Sequence, residues 1–305
     1  MSKHTNTLGK NDRVLTRPDR PEDYHCTCNL CSNFLGEIYD TENDKYYSNR
    51  IRKGYYVDSA GEHLDVGQVI GYRYAVQNFC PEFGFVFDPT VGSGTAIVEA
   101  INNGANAVGI ELEYPDIADK NVDAQYSDQW NLFQGIGVVI PGNALYTDSL
   151  LESRLYTKPW FDLIVNGTPY PTKGGKSSDA PERDNFGKEK ICTFDYEHPD
   201  NIGKAKEGGE WEDLIRTMYN QSLEYLKPGG YFIIIIKDLM RDKKPYLLHK
   251  VIADIVLEDN LGLEPHGYFL HKHVPTTMFM NTYPKRYPEI KIPMYQTGIV
   301  LKKMA

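Results

Sequence analysis

The sequence predicts an α/β protein whose single sheet is mostly parallel, with helices on both of its faces. Short runs of strand-forming apolar residues alternate with segments of helical spacing from about residue 61 onward. The run 231–236 (YFIIII) is apolar at every position, which is typical of a strand in the buried middle of such a sheet. A glycine-rich turn joins an early strand directly to a helix. Together these observations predict a sheet of seven strands.

The glycine turn is the stretch around which the predicted elements are arranged. Residues 84–95 have the sequence GFVFDPTVGSGT. The apolar run 85–87 predicts a strand, Asp88 and a proline end it, and the small residues 92–94 form a loop. Residues 96–102 have helical spacing. A ligand can therefore lie against bare backbone at the N-terminus of this helix, where free N–H groups point outward.

The next predicted strand narrows the class of ligand. Residues 107–110 (AVGI) end in Glu111, and an acid at this position is placed to hold the two hydroxyls of a ribose. The turn lacks the Gly-Lys-Ser/Thr of a nucleoside-triphosphate P-loop. Nicotinamide dinucleotides and S-adenosylmethionine therefore remain as the main ligands.

The other elements follow in an order that builds the same sheet. Further helices are predicted at 63–79, 115–126, 211–226 and 246–257. Further strands are predicted at 135–140, 161–165, 231–236, 267–273 and 297–302, the last two as an antiparallel pair. Four polar residues end predicted strands, namely Asp88, Glu111, Asn143 and Asn166. Because ligands bind beyond the carboxyl ends of parallel strands, we expect these side chains to share one site.

The string D-P-x-x-G-S-G-T at 88–95 resembles the cofactor motif of the methyltransferases that modify exocyclic amino groups of DNA bases, the N4-cytosine and N6-adenine type. The resemblance extends from about residue 63 to 303 and includes LKPGGY, an apolar strand, Lys-Asp and a helix in the second half. It implies the Rossmann-like fold of class I methyltransferases, and S-adenosylmethionine as cofactor. It assigns cofactor contacts to Asp88, Pro89, Thr90, Gly92, Ser93, Gly94, Thr95, Glu111 and Asn143.

The catalytic motif of the same family is (D/N/S)-P-P-Y, and it follows the fourth strand. The chain has NGTPY there, and counting back from Tyr170 puts Gly167 in place of the acid, amide or serine that orients the target amine. The resemblance implies that Asn166, Thr168, Pro169 and Tyr170 present the base, with the tyrosine ring stacked on a flipped-out nucleotide. Since position 167 has no side chain, we expect Asn166, the Thr168 hydroxyl or backbone carbonyls to accept from the amine.

The chain is predicted to have two parts, an N-terminal arm with a cysteine-containing segment at 1–60 and a methyltransferase domain at 61–305. Cys26, Cys28 and Cys31 could bind zinc, although no second C-x2-C pair accompanies them. The alternative is a group of free cysteines in a turn. Residues 172–210 are polar and rich in glycine, which predicts an insertion that recognises the target or binds a partner.

Composition limits the classes of function. The 305 residues include five cysteines, an odd number that does not indicate a disulfide scaffold. No apolar run is long enough to span a bilayer and no secretory leader is visible, so we expect a cytoplasmic protein without a membrane partner. The net charge of −9 argues mildly against a protein that holds a long duplex by its phosphates.

Three functions remain open at this stage. The first is methyl transfer to an exocyclic amino group of a DNA base, with DNA as partner. The second is a catalytically degenerate methyltransferase fold that binds a protein or nucleic-acid partner, which Gly167 and the acidic charge motivate. The third is methyl transfer to RNA. A specificity or scaffold protein is a further possible partner in each case.

Overall fold

The structure is a computed structural model that describes residues 33–39, 69–126, 134–171, 198–206, 208–241, 244–258, 262–272 and 295–304. Within these ranges no helix has the length and apolar character needed to cross a membrane. Cys26, Cys28, Cys31 and most of the insertion at 172–210 lie outside the described residues. The zinc site, the target-recognition loop and the division into two parts therefore stay predictions.

The strands come in the order that the sequence predicts, with additions at the edge and near the end. They are β1 (Phe34–Tyr39), β2 (Phe85–Asp88), β3 (Asn106–Glu111), β4 (Gly137–Pro141), β5 (Phe161–Asn166), β6 (Leu226–Lys237), β7 (Leu239–Arg241), β8 (Lys244–Tyr246), β9 (Leu263–Lys272) and β10 (Tyr295–Lys303). β7 and β8 form a small antiparallel hairpin of their own.

Six α-helices are described between the strands. They are α1 (Val69–Phe79), α2 (Thr95–Asn102), α3 (Pro115–Asp123), α4 (Thr147–Glu152), α5 (Glu210–Glu224) and α6 (Leu248–Glu258). Short 3-10 turns at Ala144–Tyr146 and Ile202–Lys204 complete the described elements. The apolar periodicity identified five of the helices, whereas α4 has only six residues and too few turns to show a period.

The main sheet has the strand order β1-β9-β10-β6-β5-β2-β3-β4. β10 is antiparallel to both of its neighbours, and every other pair is parallel. From β2 the chain builds outward through β3 to β4, and then returns to the other side of β2 for β5 and β6. The order therefore reverses between β2 and β5, which is where ligands bind in open α/β sheets. This is a doubly wound, Rossmann-like α/β arrangement, as predicted.

Each face of the sheet has its own apolar core. On β6, Ile233 and Ile235 belong to the core under α1 and α2, which we call the α1 face. Phe232, Ile234 and Ile236 belong to the core under α5 and α6, the α5 face. This alternation follows from the two-residue period of a strand. Since both sides of β6 are covered, the run YFIIII is apolar throughout.

The sheet has eight strands, so the prediction of seven was wrong by one. The additional strand, β1, lies at the edge of the sheet and pairs in parallel with β9. Phe34 at its start is partly exposed and lies against Tyr268, with ring centroids 5.3 Å apart. A short edge strand with one solvated side has a weak apolar pattern, and its partner lies at the far end of the chain. Only the tertiary structure identifies such a strand.

We expect the α5-face core to be sensitive to Phe161→Ala. Phe161 and Phe87 are fully buried and stack with centroids 4.8 Å apart and an angle of 13°. Removing the Phe161 ring leaves a cavity and should lower the free energy of unfolding by about 3–5 kcal/mol. The control Ile136→Ala, at an exposed side chain, should change it by less than about 0.5 kcal/mol. Urea denaturation measures both, and equally small losses would contradict this packing.

Candidate active site

Three neighbouring strands of the sheet end in the polar residues that the sequence singles out. Asp88, Glu111 and Asn166 are the last residues of β2, β3 and β5, and all three are buried. Asn143 follows β4 after a glycine and is half-buried. Because these strands are parallel neighbours, their carboxyl ends form one edge of the sheet. The structure thus brings the four strand-end residues to one edge of the sheet.

The glycine loop takes a conformation that other residues rarely adopt. Gly92 and Gly94 have φ angles of 56° and 94°, which are in the left-handed region that favours glycine. Gly94 is also the N-cap of α2, and it makes no side-chain cap to the helix. The first N–H groups of α2 therefore open toward the carboxyl end of the sheet. This is the geometry that a helix N-terminus offers to a polar ligand.

Glu111 holds the glycine loop to the end of β3. Its Oε2 accepts the backbone N–H of Gly92 at 2.8 Å, and its Oε1 accepts those of Glu113 at 2.9 Å and Tyr114 at 3.1 Å. Burial raises the pKa of this carboxyl, while the three backbone hydrogen bonds lower it. Each carboxylate oxygen can accept more than one hydrogen bond. Oε2, with one partner among the described residues, keeps capacity for a ligand hydroxyl.

Asp88 and Asn166 form the link between β2 and β5. Asn166 Nδ2 donates to Asp88 Oδ1 at 2.9 Å and to Thr90 Oγ1 at 2.7 Å, so both of its amide hydrogens are used. Asp88 Oδ1 also accepts the backbone N–H of Thr90 at 3.0 Å. Among the described residues, no hydrogen-bond donor is found for Asp88 Oδ2. Asp88 Oδ2 is therefore available to accept a hydrogen bond from a ligand.

A chain of hydroxyl groups continues from this pair. Tyr219 of α5 donates its O–H to Asn166 Oδ1 at 3.1 Å. The Thr168 hydroxyl lies 2.5 Å from the same phenol oxygen, and it must be the donor because Tyr219 has one proton. Burial raises the pKa of the Tyr219 phenol, while the bond from Thr168 lowers it. Each group therefore donates a hydrogen bond to the next, in the order Thr168, Tyr219, Asn166 and Asp88.

Pro169 and Tyr170 connect the loop after β5 to two other elements. The Pro169 carbonyl accepts the indole N–H of Trp211 at 3.1 Å, and the Tyr170 hydroxyl accepts the backbone N–H of Lys237 at 3.0 Å. Tyr170 is half-buried and packs against the α5-face core. Its ring is thus held at the carboxyl ends of β5 and β6, next to the polar cluster.

Asn143 lies apart from this hydrogen-bonded cluster. Its Oδ1 accepts the backbone N–H of Leu145 at 2.9 Å, and its Nδ2 donates to the Asp200 carbonyl at 3.2 Å. The end of the 172–210 segment also reaches Glu113, whose Oε1 accepts from Asn201 Nδ2 at 2.8 Å and from the His198 N–H at 3.1 Å. The last part of the predicted insertion therefore packs over the ends of β3 and β4.

Burial determines the electrostatics of the site. It raises the pKa of Asp88 to about 7, against the lowering effect of the Asn166 and Thr90 hydrogen bonds, and the charge of Glu111 adds to the rise. Two carboxyl groups with raised pKa values thus lie on neighbouring strands without a cation beside them in the described residues. Such a site favours a positively charged ligand, because a cation stabilises the ionised carboxylates.

Sequence reasoning missed Tyr72, Tyr219 and Glu113 as site residues. Each lies on a helix or turn outside the recognised motifs, and reaches the site only through the packing of α1, α5 and the end of β3. Tyr219 occupies the apolar stripe of α5, where a tyrosine normally indicates a core position. In the described residues, no group of three or more His, Cys, Asp or Glu side chains could hold a metal ion.

Comparisons with known proteins give distant likenesses. No family model and no curated protein matches the sequence. Among solved structures, the chain is similar to a SAM-dependent methyltransferase from Methanosarcina mazei (12% identity, 75% of this chain, 96% of that chain, TM-score 0.44). It is also similar to a methyltransferase from Pyrococcus furiosus (12%, 87%, 100%, 0.44) and to geranyl diphosphate C-methyltransferase from Streptomyces coelicolor (12%, 78%, 80%, 0.43). The fold assignment above rests on the strand order of this chain itself.

We expect the stability of the chain to fall as the pH rises toward neutrality, partly because of Asp88. Its pKa is 3.8 in an unfolded chain and about 7 in the fold, so the folded state binds more protons between these values. Asp88→Asn keeps the Oδ1 acceptor and removes the charge. Relative to wild type, the variant should become more stable as the pH rises through this window, by up to about 1.4 kcal/mol per unit.

Urea denaturation across the same pH range measures this difference. The control Ile136→Ala, at an exposed side chain that carries no titrating group, should follow the wild-type pH dependence. A stability difference between Asp88→Asn and wild type that stays constant with pH would contradict the burial of a titrating carboxyl at this position.

Proposed function

We propose that the chain is an S-adenosylmethionine-dependent methyltransferase that acts on the exocyclic amino group of a base in DNA. The observation that carries the proposal is the buried Asp88–Asn166 pair, which lies at the point where the strand order reverses. The glycine loop, the N-terminus of α2 and Glu111 are adjacent to it. These are the elements that a methyltransferase of this fold uses for its cofactor and its acceptor.

The cofactor contacts follow from the hydrogen-bond capacity of the site. Oε2 of Glu111 can accept a ribose hydroxyl while it continues to hold Gly92. Oδ2 of Asp88 can accept the ammonium group of the methionine part, whose positive charge would lower the raised pKa of this carboxyl. The backbone N–H groups of Ser93 and Thr95, for which no acceptor is found among the described residues, supply further donors. The preference of the two carboxylates for a cation fits a ligand that carries a sulfonium and an ammonium group.

The loop after β5 supports a planar, nitrogen-containing acceptor. The Tyr170 ring is held by the Lys237 N–H at the edge of the polar cluster, so it can stack on a base at little entropic cost. Thr168 and Asn166 put oxygen acceptors beside it, although both are also engaged in the hydroxyl chain. A base that enters this site must leave its helix, because the polar groups are buried.

The proposed chemistry asks little of acid–base catalysis. The cofactor supplies an activated methyl group on its sulfonium when bound, and the amino nitrogen supplies an electron pair. The residues of this chain would align the amine and exclude water, which are contributions of positioning and desolvation. A neutral, hydrogen-bonded cluster such as Thr168, Tyr219 and Asn166 suits that task.

Two measurements on the purified chain test the proposal. Calorimetric titration with S-adenosylmethionine should show binding with one site per chain. Transfer of tritiated methyl groups should then label unmodified genomic DNA, and not an RNA of matched sequence. Labelling of the RNA alone would mean that the chain transfers methyl groups to RNA instead of DNA. An absence of S-adenosylmethionine binding would contradict the proposal and favour a binding subunit that has the fold without the activity.

We expect Tyr170→Ala to reduce methyl transfer because it removes the stacking ring. Base–aromatic stacking contributes about 1–3 kcal/mol, so KM for DNA should rise by about 5- to 150-fold. Tyr170→Phe keeps the ring and loses the hydrogen bond from Lys237, and should retain most of the activity. Steady-state kinetics with oligonucleotide substrates would measure both. An equal loss in the two variants would indicate that the hydroxyl anchor, rather than the ring, is what the site requires.

A further inference from the structure

Gly167 is a glycine because another side chain already occupies its side-chain position. A Cβ atom built on Gly167 would lie 2.3 Å from the Tyr72 hydroxyl oxygen and 3.5 Å from the Tyr72 Cζ. No real Cβ atom tolerates the first of these distances. The clash involves the hydroxyl alone, since the ring carbon is at an ordinary van der Waals distance. The phenol oxygen of Tyr72 therefore lies where an acid, amide or serine at 167 would begin.

The Tyr72 phenol is surrounded by residues of the candidate site. Tyr72 lies on the described part of α1, is buried, and has its ring in the α1-face core. The backbone of Gly167 and the side chains of Asp88, Tyr170 and Tyr219 are close enough to influence the pKa of this phenol. Tyr72, a side chain from the α1 face of the sheet, thus reaches the polar cluster at the carboxyl ends of β2 and β5.

We propose that the Tyr72 hydroxyl replaces the missing side chain of position 167 and accepts a hydrogen bond from the amino group that receives the methyl. This role rests on the function proposed above. A phenol oxygen has lone-pair positions that can accept the N–H of an amino group. Asn166 is less suited to the task, because both of its amide hydrogens and one side of its Oδ1 are already engaged.

The role is one of orientation. In the transfer step the lone pair of the amino nitrogen forms the N–C bond, the C–S bond breaks, and its electron pair stays on the sulfur. The proton that the nitrogen then loses passes to solvent. Burial, and after it the charge of Asp88, raises the pKa of the Tyr72 phenol well above its usual value. The phenol accordingly stays protonated and directs the amine without taking its proton.

The first test is Tyr72→Phe, which removes only the oxygen. We expect kcat for methyl transfer to fall by about 10- to 100-fold, since the amine loses its orienting acceptor. The Kd for S-adenosylmethionine should stay within about twofold of wild type. Tyr74→Phe is the matched control, since Tyr74 lies on the same helix and packs on Phe269 away from the cluster. It should leave kcat unchanged.

The second test moves the hydroxyl group from position 72 to position 167. Gly167→Ser in the wild-type background should reduce both activity and melting temperature, because its Cβ meets the Tyr72 oxygen. In the Tyr72→Phe background the same substitution has room and supplies a hydroxyl, so it should raise kcat by about tenfold over Tyr72→Phe alone. Gly167→Ala in that background fits equally well but offers no acceptor, and should not restore the rate.

The outcomes separate the inference from the proposed function. A wild-type chain that transfers no methyl group to any nucleic acid would overturn both. An active wild type whose Tyr72→Phe variant keeps its kcat would overturn the role of Tyr72 alone. So would equal recovery by Gly167→Ser and Gly167→Ala in the Tyr72→Phe background, because that result would show a purely steric relation between the two residues. The inference would be supported if Gly167→Ser lowered kcat in the wild-type background and raised it in the Tyr72→Phe background, while Gly167→Ala did not raise it in the Tyr72→Phe background.

Discussion

The hydrogen bond between Asn166 and Asp88 is the interaction on which the rest of the site depends. It joins the carboxyl ends of β2 and β5, the two strands between which the order of the sheet reverses. A reversal of this kind leaves a crevice, because the helices that follow the two strands lie on opposite faces. Polar groups buried in that crevice must be paired, and the chain from Thr168 through Tyr219 to Asn166 and Asp88 pairs them. The end of the crevice is therefore lined by buried, hydrogen-bonded polar side chains.

The same burial gives the site its preference for charge. Asp88 and Glu111 are both shielded from water, and each has a raised pKa for that reason. Hydrogen bonds from Asn166, Thr90 and three backbone N–H groups lower the cost of ionisation without removing it. A bound cation would lower it further. A site built in this way favours a positively charged ligand, because such a ligand lowers the electrostatic cost of ionising the two carboxyl groups.

Two glycines illustrate how close packing positions the loops of the site. A Cβ on Gly109 of β3 would lie 2.7 Å from Val91, so its absence lets the glycine loop lie directly on the strand. Gly167 likewise leaves room for the Tyr72 hydroxyl. In each case the neighbour comes from another segment of the chain. The glycine at position 167 thus matches a contact with a distant segment of the chain, which the local sequence does not show.

The sequence by itself determined the elements whose cause is local. Apolar periodicity placed five helices and seven of the eight strands of the sheet, and the strand-end positions of Asp88, Glu111, Asn143 and Asn166 followed from the same pattern. Only the tertiary structure decided β1, whose partner β9 lies at the far end of the chain. It also decided the pairing of Asn166 with Asp88 and the contact of Tyr72 with Gly167. Those contacts join residues far apart in sequence, and they exist because the sheet and its helices pack at van der Waals distance, which no local pattern records.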